Sequence, residues 1–121
     1  MRRDKPRGLR RLVMAVVYSW QGLRSAWREE AAFRQELALS LVAIPAALYF
    51  GRGSLERIAL IAPVFLVLIV ELLNSSIEAI VDRVGTDPHP LAEMAKDMAS
   101  AAVMLSLVLL ATVWFLVLID H

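Results

Sequence analysis

The chain has 121 residues, 59% of them hydrophobic, with a formal net charge of +1 and no cysteine, and its mean hydropathy is +0.61. A domain of this size has too little interior to hide so much apolar surface from water, which excludes a soluble globular fold and indicates a membrane protein. Without cysteine there is no disulfide, no thiolate metal site and no cysteine nucleophile.

Met1–Arg7 is charged, contains Pro6 and reads as a mobile tail. The basic start is not followed by a compact apolar core and a small-residue cleavage site, so no cleaved signal peptide is expected. From Leu9 to Trp27 the pattern is amphipathic. Leu9, Leu12, Val13, Val16, Val17, Trp20, Leu23 and Trp27 fall within about a 140° arc at helical periodicity, with Arg11, Tyr18, Gly22 and Ser25 opposite. Basic residues and two tryptophans on such a helix predict that residues 1–28 form a tail and a helix lying in the membrane interface. The plainest role for such a helix is anchoring.

Residues 29–50 form the first predicted span. Its clean apolar part, Leu37 to Phe50, is short and contains Pro45. Crossing takes about 20 residues, so Ala31 to Glu36 is expected near the interface, with Arg34 and Glu36 snorkelling or facing protein. Gly51 to Ser54 is a tight turn with Ser54 as the expected N-cap. Residues 55–83 form the second span, with Pro63 a candidate kink. Gly85-Thr-Asp-Pro-His-Pro90 breaks the chain again. Residues 91–119 form the third span, in which Met98 to Ile119 carries no charge. Nine of the 13 basic residues lie at or before Arg34. An N-terminus on the inner side puts those nine, Arg83 and Lys96 inside and leaves Arg52 and Arg57 outside, so a cytoplasmic N-terminus is predicted. No internal repeat or low-complexity segment is present.

The second span carries the chemistry. At about 100° per residue, Glu71, Asn74, Ser75, Glu78 and Asp82 fall within roughly a 100° arc. An acidic, amide-bearing stripe on a helix that enters a bilayer is costly and marks a functional site. Glu78 and Asp82 lie at the inner end, with Glu29 and Glu30 at the start of the first span and Lys96 and Asp97 opening the third. Carboxylates from different helices suit Mg²⁺, which keeps substrate phosphate among its ligands, and Lys96 and Arg11 can neutralise phosphate. Glu71 lies about 10 Å deeper than Glu78, where a carboxylate suits a substrate buried in lipid and can serve as a base. The structural alternatives are plain. Asn74, Ser75 and Ser76 are common helix–helix contacts in membranes. Lys96 also completes the inner positive charge, and His89 between two prolines reads as an exposed loop residue. No GxxxxGK[ST] or GxGxxG is present, so a phosphate site here is built from helix side chains.

These residues resemble the small prokaryotic diacylglycerol kinase family. The resemblance rests on Tyr18-Ser-Trp-Gln-Gly-Leu-Arg24, Glu30-Ala-Ala-Phe-Arg-Gln-Glu36, Glu71-Leu-Leu-Asn-Ser75 through Ile77 to Arg83, and Ala95-Lys-Asp-Met98, and covers nearly the whole chain. It implies a homotrimer of all-α subunits, each with an N-terminal helix on the cytoplasmic face and three transmembrane helices. It also implies Mg²⁺- and ATP-dependent phosphorylation of diacylglycerol to phosphatidic acid at the bacterial inner membrane. By motif position, the resemblance implies Glu71 as general base and Glu30 and Glu78 as metal carboxylates. Arg11, Tyr18, Glu30, Glu78, Lys96 and Asp97 belong to the ATP site, with Asp87 and His89 close by. The implied lipid contacts are Arg11, Ser19, Trp20, Arg24, Trp27, Ala32, Phe33, Arg34, Gln35, Glu36, Glu71, Asn74, Ser100 and Trp114. Ser76 and Ala99 stand where the family commonly has Ala and Gly. The loop from Asp87 to Leu91 resembles the related undecaprenol kinases, while the N-terminal block with Trp20, Trp27 and Phe33 to Glu36 resembles the diacylglycerol enzymes and carries the greater weight.

Two other readings make distinct expectations. An undecaprenol kinase performs the same chemistry on another lipid alcohol. A small ion or proton pathway through Glu71, Glu78 and Asp82 predicts flux without ATP.

Overall fold

The computed structural model describes residues 7–121. The tail expected at Met1–Arg7 lies, apart from Arg7, outside the described residues. Four helices follow one another: α1 (Gly8–Glu29), α2 (Ala31–Phe50), α3 (Gly53–Val84) and α4 (Pro90–Ile119). α2, α3 and α4 are each long and apolar enough to cross a bilayer. Inside a bilayer every backbone polar group must be satisfied within the protein, which is why apolar segments of this length fold as continuous helices.

α3 is the centre. It packs most extensively on α4 and also on α2, while α1 touches α2. The buried residues of α3 are Leu60, Pro63, Val64, Val67 and Glu71, spaced so that one stripe of the helix faces its neighbours. The partners offer mostly small residues at heptad spacing, Ser40 and Ala47 on α2 and Ala99 and Ser106 on α4, with the larger Phe33 one heptad before Ser40. Apolar transfer drives little association between helices in lipid, so close packing of small side chains carries the contact. Ala99 is one of the two buried positions of α4. Membrane-embedded hydroxyls bond to their own helix: Ser40 to the Leu37 carbonyl, Ser106 to Val103 and Thr112 to Val108, each at 2.7 Å.

The start of α3 departs from expectation. Ser54 is not the N-cap of α3. That position is Arg52, whose N–H donates to the Glu56 carboxylate at 2.9 Å. Gly53 takes φ 81°, a conformation that glycine adopts at little cost, so the chain enters the helix before Ser54. Pro63 does not break the helix. α3 runs through it unbroken, as α2 runs through Pro45. Pro63 removes the donor that the Ala59 carbonyl would take in a regular helix. One residue on, the Trp114 indole N–H of α4 donates to the Leu60 carbonyl at 2.9 Å, tying α4 to the disturbed turn. At the same end of the bundle, His121 Nε2 lies 2.9 Å from Glu56 Oε1. α4 opens on Pro90 at its first position, where a missing N–H does no harm, and the His89 ring accepts the Leu91 N–H at 3.1 Å.

Candidate functional site

The antiparallel course of α2, α3 and α4 brings the start of α2, the last turns of α3 and the first turns of α4 to one end of the bundle, the end that carries α1. Glu71 occupies the last position of the buried stripe on α3, only 3% exposed. The ion pairs found among the described residues, Lys96–Asp82 and His121–Glu56, do not include it. Its neighbours are polar groups from two helices. Glu36 of α2 turns its carboxyl toward Glu71, Asn74 lies against it one turn along α3, and the Glu30 and Glu78 carboxylates lie within electrostatic range.

Three buried polar atoms here have no hydrogen-bond partner: Glu36 Oε2, Asn74 Oδ1 and Ser75 Oγ. An unpaired buried polar atom costs roughly 1–3 kcal/mol, and native folds keep few of them. Three beside one buried carboxylate leave hydrogen-bonding capacity that a polar group from outside the chain can fill. A hydroxyl, which donates one hydrogen bond and accepts others, matches that mixture.

Beyond Glu78 toward the bundle end, Lys96 of α4 bonds to Asp82 Oδ1 at 2.7 Å, with Glu78 close enough to feel its charge. The two-carboxylate, one-ammonium arrangement spans α3 and α4, with Glu78 about two turns and Asp82 about three turns from Glu71 along α3, roughly 10 and 16 Å. Among the described residues no three of His, Asp and Glu converge as a ready-made metal cage. The donor chemistry of Glu30 and Glu78 nonetheless fits Mg²⁺, which is typically held by one or two carboxylates and completes its octahedron with phosphate oxygens and water.

Two clefts flank the cluster. One, of about 510 Å³, lies under the α3–α4 loop with Asp87 and His89 at its edge and Ile80, Val84, Leu91 and Ala92 as apolar walls. The other, of about 470 Å³, lies between α1 and α2 and is lined by Trp20, Leu23, Arg24, Trp27, Phe33 and Leu37 among others.

The expected site residues divide accordingly. Glu36 and Asn74 lie against Glu71, Glu30 and Glu78 stand within electrostatic range of it, and Lys96 pairs with Asp82 beyond Glu78. Asp97 and Ser100 are exposed on α4, and Asp87 and His89 are exposed in the loop before it. Trp20, Arg24, Trp27 and Phe33 meet around the second cleft, although Phe33 itself is 2% exposed and faces the packing between helices. Ala32 and Gln35 are exposed on the first turns of α2, and Arg34 bonds to the end of α1. Arg11 and Ser19 are exposed on α1, where the Ser19 hydroxyl bonds to the Ala15 carbonyl. Tyr18 is half-buried on the same helix and engaged in an interaction there. Trp114 is not part of the cluster. Its bond to Leu60 sets it eleven residues from Glu71 along α3, about 16 Å. Two residues of the stripe lie here without a role implied by the resemblance. Asp82, an inner-end carboxylate and a member of the ion-pathway alternative, is the partner of Lys96, and Ser75, expected at a helix contact, carries one of the unpaired atoms. The stripe itself signalled both.

Comparison with known proteins agrees with this picture. The family model for prokaryotic diacylglycerol kinase matches residues 17–118. The diacylglycerol kinase of Escherichia coli (strain K12) is 46% identical over 114 residues, covering 94% of this chain and 93% of the relative. The diacylglycerol kinase of Helicobacter pylori (strain ATCC 700392 / 26695) is 50% identical over 110 residues, covering 91% of this chain and 86% of its own. That of Pseudomonas aeruginosa is 47% identical over 112 residues, covering 93% and 91%. A match across almost the full length at this identity leaves one assignment: the chain belongs to the prokaryotic diacylglycerol kinase family.

Proposed function

We propose that the protein is an integral membrane kinase that transfers the γ-phosphoryl group of ATP to the hydroxyl of diacylglycerol. The single observation that carries this reading is the buried Glu71 carboxylate with three unpaired polar atoms around it, at a depth suited to a lipid hydroxyl and beside charged groups suited to phosphate. Glu71 takes the proton of the lipid hydroxyl. The freed oxygen forms a bond to the γ-phosphorus, the bond from that phosphorus to the bridging oxygen breaks, and ADP leaves. Asn74 and Glu36 orient the acceptor hydroxyl. Phosphoryl transfer needs positioning and charge neutralisation more than covalent participation by the protein, and Lys96, already poised beside Glu78 and Asp82, supplies one positive charge. Glu30 and Glu78 would hold Mg²⁺, which when bound neutralises charge on the transferring phosphoryl group. Asp87 and His89 border the cleft proposed for the nucleotide base, while Arg11 and Tyr18 reach the phosphates from α1.

Under the same reading, α1 lies in the interface with Leu9, Leu12, Val16 and Trp20 toward lipid; these side chains are exposed, uncovered by the rest of the chain. The lipid's acyl chains lie along Trp20, Trp27 and Phe33. The chain sits in the inner membrane with its N-terminus cytoplasmic, as the basic residues of α1 favour, and assembles as a homotrimer. One subunit of three thin spans is too small to enclose lipid, metal and ATP together. The test is transfer of labelled phosphate from ATP to dioleoylglycerol in mixed micelles with Mg²⁺, beside undecaprenol as competing acceptor. The proposal expects labelled phosphatidic acid as the main product. Labelling of undecaprenol in preference would reassign the acceptor. No labelling, with ATP-independent ion flux in liposomes, would replace the kinase with a pathway.

A further inference from the structure

The chain passes from α1 to α2 through a single residue. α1 ends at Glu29 and α2 begins at Ala31, so Glu30 alone makes the bend, at φ −120° and ψ 108°. Ending a helix orphans the carbonyls of its last turn. The Ala26 carbonyl still receives the Glu30 N–H at 2.9 Å. The next two are taken by one side chain from the other helix: Arg34 Nη1 donates to the Trp27 carbonyl at 2.8 Å and to the Arg28 carbonyl at 3.3 Å. The Arg34 N–H in turn donates to the Glu30 carbonyl at 3.2 Å. Arg34 thus grips the bend from both sides: its backbone holds the residue that turns, and its side chain holds the end of the helix that the turn redirects. A cation at a helix C-terminus also meets the negative end of the helix dipole.

A one-residue bend has little else to fix it. Any change in ψ at Glu30 swings α1, a rod about 33 Å long, and redirects the Glu30 side chain together with it. We propose that Arg34 is a positioning residue for Glu30: by fixing the angle between α1 and α2 it sets the direction in which Glu30 presents its carboxylate to the metal–nucleotide. The inference rests on the reading of Glu30 as a metal carboxylate. It gives Arg34 a task different from contact with the lipid headgroup.

The test uses the full chain in detergent micelles and has two readouts independent of turnover. Backbone hydrogen exchange across residues 26–34 reports the clamp, and loss of the free Mn²⁺ resonance, titrated with a non-hydrolysable ATP analogue, reports the carboxylate. In Arg34→Gln, exchange at these amides should rise at least about tenfold as the bend opens locally. Mn²⁺–nucleotide binding should weaken about tenfold, the lower range for loss of a group that orients a ligand. Arg34→Lys should recover part of both, and KM for diacylglycerol should stay within about twofold, since only ligand orientation is lost. Unchanged exchange in Arg34→Gln would remove the clamp. Faster exchange with wild-type Mn²⁺ binding, or a raised KM for diacylglycerol in its place, would remove the positioning role and return Arg34 to the lipid. Glu30→Gln is the control on the underlying reading: wild-type Mn²⁺ binding in that variant would overturn Glu30 as a ligand, and the positioning role with it, whatever the exchange result.

Discussion

Replacing Gly51 with alanine isolates a purely steric effect at the turn between α2 and α3. Gly51 has φ −66° and ψ 134°, a conformation any residue adopts, so the backbone itself does not require glycine. The space does. A Cβ built there would lie 2.5 Å from Arg57 Cγ, 2.7 Å from the Ala47 carbonyl oxygen and 3.3 Å from Arg57 Cα. The first neighbour is the root of a side chain and the other two are backbone, so relief requires the ends of both helices to move apart. Overpacking of this kind costs about 1–3 kcal/mol, and the loss of unfolded-state entropy on adding a methyl group returns about 0.4–1 kcal/mol. The net destabilisation should be about 1–2 kcal/mol, a factor of roughly 5–30 in the folded-to-unfolded ratio. Reversible unfolding in mixed micelles, followed by circular dichroism, measures it. Gly22→Ala is the matched control: apart from its own stretch of helix backbone no atom lies within 4 Å of a Cβ built there, and it sits inside α1, so it should stabilise the helix by up to about 1 kcal/mol. A Gly51→Ala protein as stable as wild type would refute the close approach of the two helices at this turn.

Other perturbations probe separate parts of the account. Trp114→Phe removes the bond to the Leu60 carbonyl while keeping an aromatic ring, and should cost about 0.5–1.5 kcal/mol in the same unfolding assay, with transfer activity little changed because the contact lies far from Glu71. Lys96→Met should reduce kcat/KM for ATP by roughly 10²-fold, the scale for removing a charge-stabilising group, and leave KM for the lipid unchanged. Chelation of divalent metal should abolish transfer, and Mg²⁺ should restore it. In Glu78→Gln the Mg²⁺ concentration for half-activation should rise about 10- to 100-fold, read from initial rates at saturating ATP and lipid.

Much of the fold was legible in the sequence because lipid imposes simple rules. Continuous apolar runs broken by Gly51 to Ser54 and by Gly85 to Pro90 leave room only for helices between them, and the observed breaks fall at those positions. The ends were less legible. Ser54 looks like a cap by residue type, but the φ of Gly53 and the carboxylate of Glu56 decide the start of α3, and neither follows from local preference. α3 continues through Pro63 as α2 does through Pro45, and the side chain that bonds beside the proline turn, Trp114, comes from 54 residues away in sequence. Within the site, the periodicity of α3 put Glu71, Asn74, Ser75, Glu78 and Asp82 on one face. The approach of Glu36 from α2 was not readable from its own helix, where it is one charged residue near an end, open equally to solvent or to protein. The pairing of Lys96 with Asp82 likewise depends on the register between α3 and α4, which periodicity within either helix leaves free.

The most direct test of the central claim is the rate of phosphate transfer from ATP to dioleoylglycerol by Glu71→Gln beside wild type, at saturating ATP, lipid and Mg²⁺. Glutamine keeps the shape and the hydrogen-bonding reach of the side chain and removes its capacity to take a proton. Loss of a general base costs roughly 10²- to 10⁴-fold in rate. The account predicts a fall in kcat within that range, with KM for ATP and for lipid nearly unchanged and with wild-type unfolding behaviour. A Glu71→Gln enzyme that turns over at the wild-type rate would contradict the assignment of the buried carboxylate as the base.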